Sequence, residues 1–340
     1  MTPWYVMAFL LASLGVVFWP RRGLRARWRV SQALARRIRR EDALKHILKC
    51  EANGRMATLN SLAGSLQITT SDAAQLLKEM GEHDLLTFEG GKLHLRPTGR
   101  TMGLHIIRAH RLWESYLAEQ TGLAEVEWHS RAEEKEHLLT PEEADQLAAR
   151  LGHPTLDPHG DAIPEADGVL EGDAGRSLNS VEPNTPVQIT HVEDEPETIY
   201  RQLVAQGLRP GMRAFVIDKS PTHIRFWADG SENVLAPILA ENVSVKPLQG
   251  FQTEDLVEEE FLSGLRPGER TRVIGLSAAC RGQERRRLLD LGFVAGTPVE
   301  VDMVSPAGDP TAYRLRGSVV ALRREQANLI RTSSKEVVTS

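Results

Sequence analysis

The sequence predicts a multidomain α+β chain. Helical apolar spacing followed by a short hairpin signal fills residues 41–97, more helical spacing follows to about 152, and a β-rich segment occurs twice in the C-terminal half. The 340 residues carry 41 Lys+Arg against 46 Asp+Glu, a formal net charge of −5, and the length suits two or three globular units. An apolar share of 41% with 26% charged residues excludes global disorder, a collagen-like chain and a polytopic membrane protein. Only two cysteines occur, Cys50 and Cys280, which excludes a disulfide scaffold or a CxxC metal site and fits a reducing compartment. The charge is uneven. Residues 1–40 hold nine arginines and no acid, leaving the other 300 with a net charge of −14, so the bulk of the chain does not attract nucleic acid by charge.

Residues 4–19, from Trp4 to Trp19, carry no charge and approach the length that spans a hydrocarbon layer, with Trp4, Tyr5, Phe18 and Trp19 at its two ends. Arg21, Arg22, Arg25, Arg27 and Arg29 follow. This order predicts a transmembrane anchor at 1–20, a basic juxtamembrane segment at 21–40 and a single-pass inner-membrane protein whose C-terminal bulk is cytoplasmic. A cleaved signal peptide fits less well, because the charge follows the apolar run and Trp19-Pro20-Arg21-Arg22 is a poor cleavage site. The arginines read as a stop-transfer and anionic-lipid contact, with nucleic-acid contact as the alternative.

Leu34, Ile38, Ala43, Leu44, Ile47 and Leu48 recur at helical spacing, so a helix runs to about Cys50, where Asn53-Gly54 breaks it. Leu59 to Leu66 is a short amphipathic stretch. Ser71 is positioned to cap a helix that carries Ala74, Leu77 and Met80 inward. Leu85 to Phe88 and Leu93 to Leu95 then read as two strands around a Gly-Gly turn. Three helices and a hairpin form a winged helix-turn-helix pattern over 41–97. The helix from Ser71 to His83 is the one that enters a major groove. Ser71, Gln75 and Lys78 on it, with Lys92 and Arg96 of the wing, are the candidate DNA contacts. Gln75 suits adenine, and Lys78 suits a phosphate or guanine. Asp72, Glu79 and Glu82 leave that helix one permanent cation, a poor electrostatic footprint.

Residues 98–121 and 125–152 read as two further helices, and the Pro/Gly/Asp-rich stretch from His153 to Pro186 as a linker. Beyond it, the segment Gln202 to Gly211 recurs 85 residues later as Arg287 to Gly296, each copy a short helix ended by glycine and followed by alternating strands.

His110 and Glu114 share one helix face, and His129, Glu133, Glu136 and His137 share another. Two neighbouring helices that turned these groups toward each other would offer a divalent ion mixed nitrogen and oxygen ligands, a set open to Mn²⁺, Fe²⁺, Zn²⁺ or Co²⁺. By spacing alone, Arg131 to His137 equally fits an ordinary solvated helix face. The stretches Leu93 to Arg100, Arg108 to Glu114, His129 to His137 and Gly160 to Pro164 together resemble the DtxR/MntR family of metal-dependent repressors over about 41–164. The resemblance implies a metal-binding and dimerisation domain at 98–164, an ancillary site of His110, Glu114 and His129, and a primary site of Asp42, Glu133, Glu136 and His137. Carboxylates at 42 and 133 resemble the manganese-sensing branch, which places Mn²⁺ before Fe²⁺. Lys45 departs from that branch, which has a glutamate there, and its ammonium would repel a second cation.

The second repeat, with Gly264 to Gly268, Arg286 to Thr297 and Gly308 to Pro310, resembles FeoA, a small Src-homology-3-like β-barrel associated with the ferrous-iron transporter FeoB. A FeoA-like domain is expected at 261–332 and a diverged one at 185–248, after a linker at 165–184. The glycines of these repeats also fit plain turn positions. No nucleophile–base pair, P-loop, HExxH or dinucleotide fingerprint occurs, so the chain is expected not to be an enzyme. The resulting expectation is a membrane-anchored, Mn²⁺- or Fe²⁺-dependent regulator of metal homeostasis. One ion shared between the reader module and the helix behind it orders a homodimer for operator DNA. The alternative is a metal-sensing accessory of a FeoB-type transporter that does not bind DNA.

Overall fold

A computed structural model describes residues 24–89, 92–165, 168, 170, 175–228, 231–248, 260–277 and 279–333. The expected anchor at 1–20, the start of the basic segment and the Gly-Gly turn at 90–91 lie outside these residues. Two compact units result. One takes the described residues up to Ala109 with Glu136–Pro141 and the described part of Pro164–Gly172. The other takes His110–Lys135, Glu142–Ile163 and the described residues beyond Asp173.

The first unit opens with helix α1 (Leu24–Ala52), which Gly54 ends at φ +65°, a left-handed conformation that glycine adopts without strain. Ala43, Leu44, Ile47 and Leu48 are buried from its second half, whereas Arg25, Arg27, Arg36 and Arg39 are exposed along the first. The expectation of a single-pass inner-membrane chain is corrected here. Among the described residues no helix is long and apolar enough to cross a membrane, and Arg25, Arg27 and Arg29 of the expected juxtamembrane segment are exposed on α1.

Helix α2 (Leu59–Ser65) is held by a capping box of Thr58 and Ser61, and α3 (Thr70–Glu82) by Thr69, whose side chain accepts from Asp72 N. The cap is therefore Thr69 and not Ser71, and the inward residues are Ala73, Leu77 and Met80, with Ala74 exposed. Strands β1 (Leu86–Glu89) and β2 (Lys92–Leu95) pair antiparallel with Leu86 opposite Leu95 and Glu89 opposite Lys92. One apolar cluster joins α1, α2, α3 and the hairpin through Leu44, Ile47, Leu62, Leu77, Met80, Leu86 and Leu93. Helix α4 (Pro97–Gln120) follows the wing directly. Gly99 is required there, since a Cβ would lie 2.1 Å from the Leu85 carbonyl oxygen.

The helix expected over 125–152 is two helices, α5 (Trp128–Glu136) and α6 (Pro141–Arg150). Pro141 is the reason, because its ring permits a helix to begin and not to continue. In the second unit, Trp128 anchors the start of α5 against Leu117 and Ala118, and its indole N–H donates to Leu123 O. The stretch after α6 is more ordered than a linker. Leu156 bridges Ala162, and the Asp157 carboxylate accepts from the backbone N–H groups of His159 and Asp161.

Two six-stranded antiparallel sheets complete this unit. The first comprises β3 (Arg176–Ser177), β4 (Thr185–Val192), β5 (Arg213–Lys219), β6 (Ile224–Ala228), β7 (Ser231–Leu235) and β8 (Val243–Pro247), in the order β3-β8-β4-β5-β6-β7. Helices α7 (Glu197–Ala205) and α8 (Pro237–Ala240) lie in its connections. The second comprises β9 (Glu260–Phe261), β10 (Arg270–Leu276), β11 (Pro298–Val304), β12 (Thr311–Leu315), β13 (Ser318–Leu322) and β14 (Ile330–Thr332), with helices α9 (Gly282–Asp290) and α10 (Arg324–Ala327). Its order, β13-β12-β11-β10-β14-β9, repeats the first: in each, the last strand lies between the first and the second. Alternate residues of β4, β5, β6, β10 and β11 point into separate cores, one around Phe226 and Tyr200 and one around Phe293 and Tyr313. Part of the expected linker belongs to the first sheet, since Leu178 and Val181 are fully buried in its core.

Candidate metal centre and nucleic-acid interface

In the second unit, α4 offers His110 and Glu114 one turn apart, α5 offers His129 and Glu133, and the loop after β4 offers Asp194 and Glu195. One ligand atom each of His110, Glu114, His129 and Asp194 lies within 4.8 Å of the others. Glu114 Oε1 is 3.0 Å from His110 Nε2 and 3.3 Å from His129 Nδ1, and the latter is 2.7 Å from Asp194 Oδ2. Glu133 and Glu195 approach the other nitrogen of His129, at 3.5 and 3.6 Å. That nitrogen is buried and makes no hydrogen bond.

A third imidazole borders this group. His159, from the ordered stretch after α6, places Nδ1 3.5 Å from both Glu114 Oε2 and Asp194 Oδ2. Its Nε2 lies 2.9 Å from the Tyr200 hydroxyl, which donates to Glu125. With Nε2–H donating to Tyr200, Nδ1 is the nitrogen that faces the carboxylates, and loss of its proton would present a lone pair to an ion. His159 Nδ1 and Asp157 Oδ2 are both buried without a hydrogen bond, and Glu114, Asp157 and His159 form a ligand-grade triplet of their own.

The electrostatics express crowding. Burial pushes the Glu114 carboxyl up, but the His110 and His159 charges hold it well below the usual carboxylate range. Burial likewise opposes ionisation of Asp194, and the His129 hydrogen bond outweighs it, leaving the acid at about 2. His159 is raised to about 10 against its own burial, chiefly by Glu114, and His129 is raised further by Asp194 and Glu114. Asp157 goes the other way, pushed up to about 7 by burial and by Asp161. Imidazoles that must hold protons to neutralise buried carboxylates are where a dication substitutes for those protons. The nitrogen and oxygen donors and the orphaned buried atoms therefore fit Mn²⁺ or Fe²⁺.

The first unit brings Asp42, Glu136 and His137 together, again within 4.8 Å. Glu133 is not in this group; it stands with His129 and Glu195. Two neighbours were not among the expected ligands. Glu41 Oε2 is 2.8 Å from His137 Nδ1, while Asp42 Oδ1 is 3.1 Å from His137 Nε2. Lys45 Nζ donates to both carboxylate oxygens of Glu136, at 2.8 and 3.1 Å. Burial pulls the His137 imidazole down, but the bonds to Asp42 and Glu41 push it up to about 9. Here the residues do not fit an added ion, because an ammonium already occupies the Glu136 carboxylate.

On α3, Ser71, Gln75 and Lys78 are exposed as expected. Gln75 Nε2 donates to Glu79 at 3.2 Å, and Lys78 faces Glu82 at 3.9 Å. Lys92 is exposed opposite Glu89, and Arg96 pairs with Asp84 at 2.8 Å.

Asp194, Glu195, Asp157 and His159 were missed as candidate ligands. They lie in segments with no periodicity, distant in sequence from α4, and only the dense run Glu193-Asp194-Glu195 hinted at them.

Comparison with known proteins places this geometry. The family described as the iron dependent repressor, metal binding and dimerisation domain, matches residues 96–165, and the FeoA domain matches 261–333. The iron-dependent repressor IdeR of Mycobacterium leprae is 28% identical over 214 residues, 58% of this chain and 91% of that protein. The chain is thus similar to the DtxR/IdeR repressors over a little more than half of its length. The diphtheria toxin repressor of Corynebacterium diphtheriae is 26% identical over 219 residues, 61% of this chain and 96% of that protein. A solved manganese-dependent transcriptional repressor in complex with manganese superposes with a TM-score of 0.56 at 26% identity, covering 61% of this chain and 99% of that one. The DtxR/IdeR relatives are repressors by name, which agrees with the expectation of a non-enzyme and overturns the expected membrane localisation.

Proposed function

We propose that this chain is a divalent-metal-dependent, homodimeric DNA-binding repressor, with the ion held by His110, Glu114, His129 and Asp194. The observation that carries the reading is the cluster of two imidazoles and two carboxylates within 4.8 Å of one another, with the unbonded His129 Nε2 and the neighbouring His159 Nδ1 beside it. Mn²⁺ or Fe²⁺ is the cofactor, because the donors of this centre are imidazole nitrogens and carboxylate oxygens with no thiolate among them. The ion supplies charge neutralisation and a fixed coordination geometry. Around it, Glu114 orients two imidazoles, Tyr200 sets the His159 tautomer, and Asp194 ties the β4–α7 loop to α4 and α5. Ser71, Gln75, Lys78, Lys92 and Arg96 are the proposed DNA contacts.

Both arms of a gel-shift experiment on promoter DNA of metal-transport genes are needed. Expected is a shift with Mn²⁺ or Fe²⁺ that a chelator abolishes and that His129→Ala removes while the far-UV spectrum is kept. Metal-independent binding by both proteins would end this reading. The FeoA-domain match and the self-paired polar side chains of α3 favour a second reading, an accessory of a ferrous-iron transporter. Co-purification with such a transporter, unaffected by Gln75→Ala and Lys78→Ala, would favour it.

A further inference from the structure

The cluster at Asp42, Glu136 and His137 has ligand-type side chains and yet is complete as it stands. Glu136 is buried, its side chain 2% exposed, and both of its carboxylate oxygens accept from Lys45 Nζ. The Lys45 side chain is itself only 11% exposed, so its ammonium has left water to sit there. Around this pair, both nitrogens of His137 meet carboxylates, Nδ1 that of Glu41 and Nε2 that of Asp42. Arg37 in turn donates Nε to Glu41 at 2.7 Å and Nη2 to the His137 carbonyl at 3.3 Å. Three carboxylates thus face two permanent cations and an imidazole.

A dication bound by Asp42, Glu136 and His137 would need the Glu136 oxygens that Lys45 holds. It would also stand beside the ammonium, where two positive charges in a poorly solvated pocket repel strongly. Expelling Lys45 would cost the buried pair its geometry for no net gain in charge balance.

We propose that Lys45 is the resident cation of this cluster, joining α1 to Glu136 by a permanent ionic tie in place of a metal ion. The sequence is the direct cause. Asp42 and Lys45 are three apart on α1 and share a face, so the helix that presents the carboxylate presents the ammonium beside it. This tie is made at any metal concentration, and α1 is joined to residues 136–137 in metal-free protein. In combination with the proposed function, the metal response then belongs to the His110–Glu114–His129–Asp194 centre alone. The expected sharing of one ion between the reader module and the helix behind it does not operate at Asp42.

Mn²⁺ binding to the full chain, counted by equilibrium dialysis with electron paramagnetic resonance of free Mn²⁺, tests this. Asp42→Asn is expected to leave stoichiometry and affinity unchanged. Lys45→Met frees the Glu136 carboxylate and is expected to add one Mn²⁺ per chain, an ion that the double variant with Asp42→Asn loses again. Should Lys45→Met fail to fold, Lys45→Gln, which keeps a donor to Glu136 and removes the charge, gives the same readout. Loss of one Mn²⁺ in Asp42→Asn, or no added ion in a folded Lys45 variant, would overturn the assignment. Failure of the proposed function reads differently: the unsubstituted chain then binds no Mn²⁺ that His129→Ala removes, and the Lys45 arm still reports.

Discussion

At the scale of the residue, Gly160 shows how one backbone position serves the centre. It sits next to His159 with φ +96°, and a Cβ there would lie 2.0 Å from the Thr190 carbonyl oxygen of β4. Only glycine lets the stretch carrying Asp157 and His159 lie against the strand that leads to Asp194. Gly160→Ala is expected to destabilise the chain by at least about 1–3 kcal/mol from backbone strain alone. It is also expected to weaken Mn²⁺ binding, since His159 must move. Urea unfolding and Mn²⁺ titration of the same variant check both, and unchanged midpoints in each would remove the claimed close approach. Lys45 belongs to this scale too: one side chain decides whether a cluster of carboxylates and an imidazole is a metal site or an ion pair.

For the elements, α3 is the telling case. Its apolar face was readable, and Leu77 and Met80 point inward as their spacing requires. Its outer face is polar, yet Gln75 and Lys78 already have partners on the next turn, Glu79 for Gln75 and Glu82 for Lys78. Surface pairs of this kind are worth little, so DNA phosphates can displace them. Lys78→Ala is expected to reduce the slope of log affinity against log salt by about 1 and to weaken binding evenly across sequences. Glu82→Gln should strengthen binding by removing an anion near the phosphates. Measuring affinity between low and moderate salt in saturating Mn²⁺ checks both, and equal slopes for parent and Lys78→Ala would take Lys78 off the interface. The break between α5 and α6 is a lesson of the same kind. Helical spacing ran through it, and Pro141 with Thr140 before it was the local signal that outweighed the period.

Over the whole molecule, the raised imidazoles link stability to pH. His137 at about 9 and His159 at about 10 exceed the value of roughly 6.5 for an unfolded imidazole. A pKa raised by folding means that the folded state holds the proton more tightly. The stabilisation is complete below the unfolded value and is lost as pH rises through the folded one. In chelator, the melting temperature is therefore expected to fall between pH 7 and 10. Mn²⁺ at about 100 times its dissociation constant should add about 2.7 kcal/mol at neutral pH and release protons on binding. Melts across that range, with calorimetry in two buffers of different ionisation enthalpy, check this. A flat profile in chelator or a proton-neutral binding event would contradict it.

Much of this architecture could be read before any coordinates. Apolar spacing at 43–48 and at Leu77 and Met80, with the hairpin signal at 85–95, specifies the winged helix, because local periodicity decides which face each element buries; Leu34 and Ala74, expected inward, are exposed. The 85-residue repeat likewise anticipated two sheets of one topology. Among the candidate ligands, His110, Glu114 and His129 were legible through the family resemblance, since helical spacing alone equally fitted a solvated face. What only the tertiary structure decided were the partners contributed by distant, aperiodic segments. His159 and Asp194 complete one cluster from segments 45 and 80 residues beyond Glu114 of α4. Lys45 closes the other from 91 residues away from Glu136. Which charges meet in a buried pocket depends on the packing of segments far apart in the chain, and no local period encodes that.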